Sequence, residues 1–174
     1  MILMQTEYGG IGSFYSDFFS SSIEVEVQRG TENTYVDTCV ELVSDMPEAI
    51  AAQVLRAAKR YCLWAIEKAR KEQDASCRPE DMPPITEESP LEDLLPYIDL
   101  RYMMIDKPEI PDVIAFMVNG ACAWEKEKGI EFIIYDGRLM FLGDCSGYSP
   151  WGPREYRFDK YNFALSEKEG GLSV

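Results

Sequence analysis

The sequence predicts an α+β fold: an antiparallel sheet of about five to seven strands with one long amphipathic helix packed on one face. Three observations carry this. Ile23–Gln28 alternates strictly, with Ile23, Val25 and Val27 on one side and Glu24, Glu26 and Gln28 on the other, the period of a half-exposed strand. Asp136-Gly137 separates two apolar runs, Ile130–Tyr135 and Arg138–Gly143, and both turn residues tolerate the positive φ of a tight hairpin. Between these regions, Pro47–Gln73 carries apolar residues at three- and four-residue spacing, as a helix covering a sheet does.

Along the chain, GGIG at Gly9–Gly12 lacks the G-x-G-x-x-G spacing and reads as a turn. Ser13–Ser22 mixes three Phe and a Tyr with Ser and reads as a loop packed down by its aromatics. After the alternating strand, Arg29–Asn33 supplies turn residues, and Thr34–Val43 is expected as a second strand, antiparallel to the first, with a bulge near Thr38 where alternation fails. Ser44 or Asp45 then caps the helix, with Pro47 in its first turn. Ile50, Val54, Ala57, Tyr61, Ala65 and Ala69 form its buried stripe.

The prolines and carboxylates of residues 74–90 end the helical pattern and predict a surface loop or linker within a single 1–174 domain. Leu91–Ile98 predicts a short helix, Asp99–Ile105 a strand, and Val113–Trp124 a strand bent at Asn119-Gly120. A charged turn after Trp124 leads into the hairpin. Its strands are apolar on both faces, which predicts a central place in the sheet. Arg154–Phe163 is expected as an edge strand, and the SEKEGGLSV tail should fray.

Composition narrows the function. The chain has 174 residues, enough for a real core. It holds no apolar run near the ~20 residues that span a bilayer, and its start lacks a basic, apolar leader; the expectation is a cytoplasmic protein with no membrane partner. Net charge is −14, a field that repels phosphate backbones, so no nucleic-acid partner is expected; the rival reading, a basic helix that binds membrane or nucleic acid, is disfavoured by the acidic segments on both sides of it. The basic residues gather on the helix: residues 47–72 hold six basic and three acidic residues, whereas residues 1–46 hold one basic and eight acidic. The acidic segments suit a basic protein partner; simple solubility is the competing reading.

The catalytic inventory is thin. With no His, Ser–His and Cys–His nucleophiles are unavailable. Cys39, Cys62, Cys77, Cys122 and Cys145 are scattered without a Cys-x-x-Cys pair, so no metal site or cofactor is expected and the thiols read as small buried hydrophobes. One segment stands out: the DCSGYSPW loop after the last hairpin strand, where Asp144, Ser146, Tyr148, Ser149 and Trp151 form a candidate binding surface. Asp144 could pair with Asp136 or Glu131 for glycosidase-like work, or act as a turn cap. Cys145 lacks nearby basic residues in sequence that would activate its thiol.

The stretch GIEFIIYDGRLMFLGDCSGYSPW resembles a motif in uncharacterised bacterial domains of unknown function. There a short strand, a DG turn and a VGD-like strand end precede a polar loop and a Trp. Such domains are similar to proteins encoded beside secreted toxins and regarded as immunity proteins. The likeness covers about a sixth of the chain, and Lys126–Gly129 departs from it. It implies a non-enzymatic binding protein, immunity-type, masking a basic partner, and offers no catalytic residue. The alternatives are a small-ligand binder or hydrolase using the 144–151 loop, and a structural domain that assembles as a homo-oligomer.

Overall fold

The computed structural model describes residues 4–7, 9–72, 79–153 and 160–165. Seven strands form one sheet in sequence order: β1 (Met4–Gln5), β2 (Gly9–Ser16), β3 (Ser21–Gln28), β4 (Ile98–Ile105), β5 (Ala115–Cys122), β6 (Glu125–Tyr135) and β7 (Arg138–Gly143). Neighbours are antiparallel except β3 and β4, which run parallel. A parallel pair needs a long crossover, and the helices α1 (Asn33–Ser44) and α2 (Glu48–Glu72) lie in it. The fold is therefore two antiparallel meanders joined through a helical layer. A 3-10 helix, Leu91–Tyr97, leads into β4.

Several expectations are corrected. Residues 34–43 are helical, not a strand: Val36, Cys39, Val40 and Val43 are buried at positions i, i+3, i+4 and i+7, the spacing of one helix face. There are thus two α-helices on the sheet rather than one. The Gly9–Gly12 run is strand, not turn, and the expected aromatic loop resolves into the end of β2, a turn at 17–20 and the start of β3. The chain reverses at Ala123-Trp124, so residues 126–128 lie within β6 instead of forming a charged turn. The long helix itself, the β3 alternation and the Asp136-Gly137 hairpin stand as read. Both turn residues of that hairpin have positive φ, 52° and 68°, as a type I′ turn requires.

One face of the sheet is covered by both helices. Ile23, Val25, Leu100, Met103, Phe116, Val118, Phe132 and Leu142 meet Val36, Cys39, Val54, Ala57 and Tyr61 in a single buried cluster. Two basic residues of α2 serve this packing. Lys59 donates to the carbonyls of Glu87 and Ser89, and Arg60 to those of Phe163 and Ala164. Residues 82–90 of the expected linker are consequently strapped to α2, with Ile85 buried. At Gly120 the backbone of β4 passes so close that a Cβ would lie 2.2 Å from the Asp99 carbonyl oxygen; the expected irregularity of β5 is a register shift between Gly120 and Cys122.

The last hairpin is not central. β7 ends the sheet order, and Asn162 closes its edge: Oδ1 accepts from Leu142 N–H at 3.2 Å and Nδ2 donates to the Met140 carbonyl at 2.9 Å. Residues 160–165 are turn and coil, while the rest of the expected edge strand (154–159), Cys77 and the tail lie outside the described residues. No helix of the described residues is long and apolar enough to cross a membrane.

Candidate functional site

Among the described residues, the second face of the sheet is covered only at its β5–β7 end. There Met117, Ile133 and Phe141 form a small cluster with Tyr148 from the 144–151 loop, and Tyr148 packs edge-on against Phe141 at 5.2 Å. Glu131, in the middle of β6, points to this side and is fully buried. Its Oε2 accepts from Gly147 N–H at 2.9 Å and its Oε1 from Tyr148 N–H at 3.2 Å. Burial raises its pKa above the ordinary glutamate value, and the backbone donors of Gly147, Tyr148 and Ser146 oppose that rise without cancelling it. Glu131 is the anchor on which the loop is folded.

Each loop residue singled out from sequence has a fastening of its own. Asp144 Oδ2 meets Lys128 Nζ at 2.7 Å, and Ser146 Oγ lies 3.3 Å from Asp144 Oδ1. Ser149 Oγ donates to Asp106 Oδ2 at 2.6 Å and accepts from Trp151 N–H at 3.2 Å. Trp151 stacks edge-on against Tyr135 at 5.4 Å. Asp144, Ser146, Tyr148, Ser149 and Trp151 are thus brought together on one short loop, largely held to the sheet. Beyond burial, the Asp144 charge reaches Glu131 and adds to the rise of its pKa, so these two carboxylates are neighbours, whereas Asp136 is remote. Asp136 lies at the opposite end of the hairpin, roughly 20 Å from Asp144 at the strand rise. Glu131 is already engaged by backbone N–H groups. The Cys145 thiol donates to the Ile130 carbonyl, and burial, then the Glu131 charge, push its pKa up to about 11, the opposite of activation. Among the described residues no group of three or more His, Cys, Asp or Glu is placed to hold a metal.

A cavity of about 210 Å³ opens beside Asp144, between α2 and the start of β6. Its floor is aromatic: Tyr61 stacks on Phe163 at 4.7 Å, and Trp64 packs against both. Charged side chains rim it, Glu125, Glu127 and Asp144 with Lys68 and Lys128. Tyr148 is not part of it. Sequence reading missed this cavity because its walls come from four separated segments.

At the β1–β4 end, no described residue covers the second face. Register places Met4, Ile11, Glu26 and Met104 in one cross-strand row and Ser13, Glu24 and Tyr102 in the next. Three of the exposed large hydrophobic residues, Met4, Ile11 and Tyr15, are here, at 68%, 36% and 55% exposure. Tyr102 O–H donates to Glu26 Oε2 at 2.5 Å, and burial, then that bond, push the Tyr102 pKa up. Residues 4–28 contain no basic side chain, and the exposed Arg101 of β4 is paired with Asp99 at 2.8 Å, so the β1–β3 part of this area is acidic and apolar at once.

A family model described as Domain of unknown function (DUF6985) matches residues 4–149. No curated protein and no solved structure matches.

Proposed function

We propose, of a chain that belongs to this family of unknown function, that it is a non-enzymatic protein-binding domain whose open sheet face receives a basic partner. The observation that carries the reading is the pairing of Glu24 and Glu26 with exposed Met4, Ile11 and Tyr15 on one surface that no described residue covers. Exposed aromatic and apolar side chains supply contact area. The carboxylates supply steering and selectivity toward cations. An overall charge of −14 extends that attraction beyond contact range and falls off with salt. The sharper form, an immunity-type protein that masks a basic toxin in the cytoplasm, draws on the resemblance of the last hairpin.

Self-association through this face is the weaker alternative, since it would set Glu24 and Glu26 against their own copies. The test is affinity capture with the full chain from its native cells, comparing it with the double variant Glu24→Lys/Glu26→Lys. A basic protein should be retained by the former and lost at least tenfold by the latter. Retention of the same partner by both, or capture of acidic proteins alone, would overturn the reading.

A further inference from the structure

We propose that the cleft at the carboxyl ends of β3 and β4 binds a short zwitterion, one ammonium and one carboxylate joined by a few carbon atoms. These are the two parallel strands, and their continuations part. β3 turns through residues 29–32 into α1, whereas β4 runs through residues 106–114 into β5. In open α/β sheets, such a parting at the strand ends is where ligands sit. The cleft left here holds about 490 Å³, within the ~300–1,000 Å³ of small-molecule sites. Both walls are fixed by the chain itself. Tyr35 O–H donates to the Ala115 carbonyl at 3.0 Å and accepts from Ala115 N–H at 2.9 Å, so its ring is held as a wall of the cleft. Lys107 N–H donates to Gln28 Oε1 at 2.7 Å, which ties the 106–114 loop to β3.

The lining presents charges of both signs. Lys107, Glu109 and Asp112 are exposed, and among the described residues they form no ion pair. Glu32, the N-cap of α1, makes no side-chain capping bond, which leaves the first-turn N–H groups of Thr34 and Tyr35 without that acceptor. A carboxylate at Lys107 and these donors, with an ammonium at Glu109 and Asp112, answers both sets at once. A lone anion would meet Glu32, Glu109 and Asp112 with one lysine in its favour. A lone cation would share the cleft with the Lys107 ammonium. Pro108, Pro111 and Ile114 add apolar surface, which suits the carbon chain between the two charges.

The experiment titrates 5-aminopentanoate into the full chain while recording amide chemical shifts over residues 32–38 and 106–114, with pentanoate and n-pentylammonium as singly charged counterparts. Saturable shifts confined to these two segments are expected for the zwitterion, at least tenfold tighter than for either counterpart. Lys107→Gln and Glu109→Gln/Asp112→Asn should each weaken it tenfold or more. Asparagine tolerates the positive φ of Asp112, 63°, so the loop backbone is kept. Glu24→Lys/Glu26→Lys should leave the response unchanged, because the zwitterion carries no net charge, and this separates the cleft from the sheet face. Absence of saturation, an equal response to pentanoate or n-pentylammonium, indifference to either cleft variant, or loss of binding in the sheet-face variant would overturn the proposal.

Discussion

Glu131 gives the most direct perturbation of the architecture around the 144–151 loop. Replacing it with alanine removes both acceptors and leaves the Gly147 and Tyr148 N–H groups without them. A hydrogen bond to a charged group contributes about 1.5–3 kcal/mol. Two of them would contribute about 3–6, but the buried carboxylate also carries a desolvation cost that its raised pKa reflects. The net loss for Glu131→Ala is therefore about 1–3 kcal/mol, a sizeable part of the roughly 5–15 kcal/mol typical of a domain. Urea unfolding should show a lower midpoint at unchanged slope, and amide exchange should accelerate over residues 144–151. Glu131→Gln keeps one acceptor and buries no charge, so it should stay within about 1 kcal/mol of the parent. If alanine costs under about 0.5 kcal/mol with loop exchange unchanged, or glutamine costs as much as alanine, the anchoring role is wrong.

The same group sets a pH dependence. Because its folded pKa is raised, the folded state binds its proton more readily. The stability it contributes is full below the ordinary glutamate value and lost as pH rises through the folded value; the stability difference between the parent and Glu131→Gln should fall across that window. Gly129 has φ +66°, and a Cβ there would lie 2.2 Å from the Gly120 carbonyl oxygen, whereas Gly137 has φ +68° with open space around it. Gly129→Ala should thus cost well over the ~1–2 kcal/mol expected from backbone conformation alone at Gly137→Ala, read from melting temperatures. With its pKa pushed to about 11, Cys145 should react with iodoacetamide on the order of a hundredfold more slowly than an unperturbed thiol near pKa ~8.5 at neutral pH. Peptide mapping should find buried Cys39, Cys62 and Cys122 unlabelled. Phe132→Ala, at 0% exposure, should cost about 3–5 kcal/mol.

Local pattern made some elements legible and long-range packing hid the others. The β3 alternation and the α2 stripe could be read because each element buries one face against the same core. α1 could not be read as easily. Its Tyr, Val, Thr and Cys content favours strand on propensity, and its N-cap, Glu32, makes no side-chain capping bond, so no start signal marks it. The 36-39-40-43 spacing of its buried residues was the available signal. β7 looked central because both its faces are apolar, but the cover is a loop on one face and Asn162 along the edge, contacts that no neighbour in sequence announces. Glu131 sits at an ordinary alternating position of its strand, and only the return of residues 146–148 over it makes it a buried anchor. The 144–151 residues are contiguous in sequence and share one loop. Their mutual fastenings, and the cavity next to Asp144, depend on segments far away in the chain.

The acidic, partly apolar face of β1–β4 is the proposed docking place for a basic partner. Calorimetric titration of the captured partner into the parent chain and into Glu24→Lys/Glu26→Lys, each at two salt concentrations, tests it most directly. The expected result is affinity that weakens with salt for the parent and falls at least tenfold in the variant, with melting temperatures matched. Equal affinity for the two chains, insensitive to salt, would contradict it.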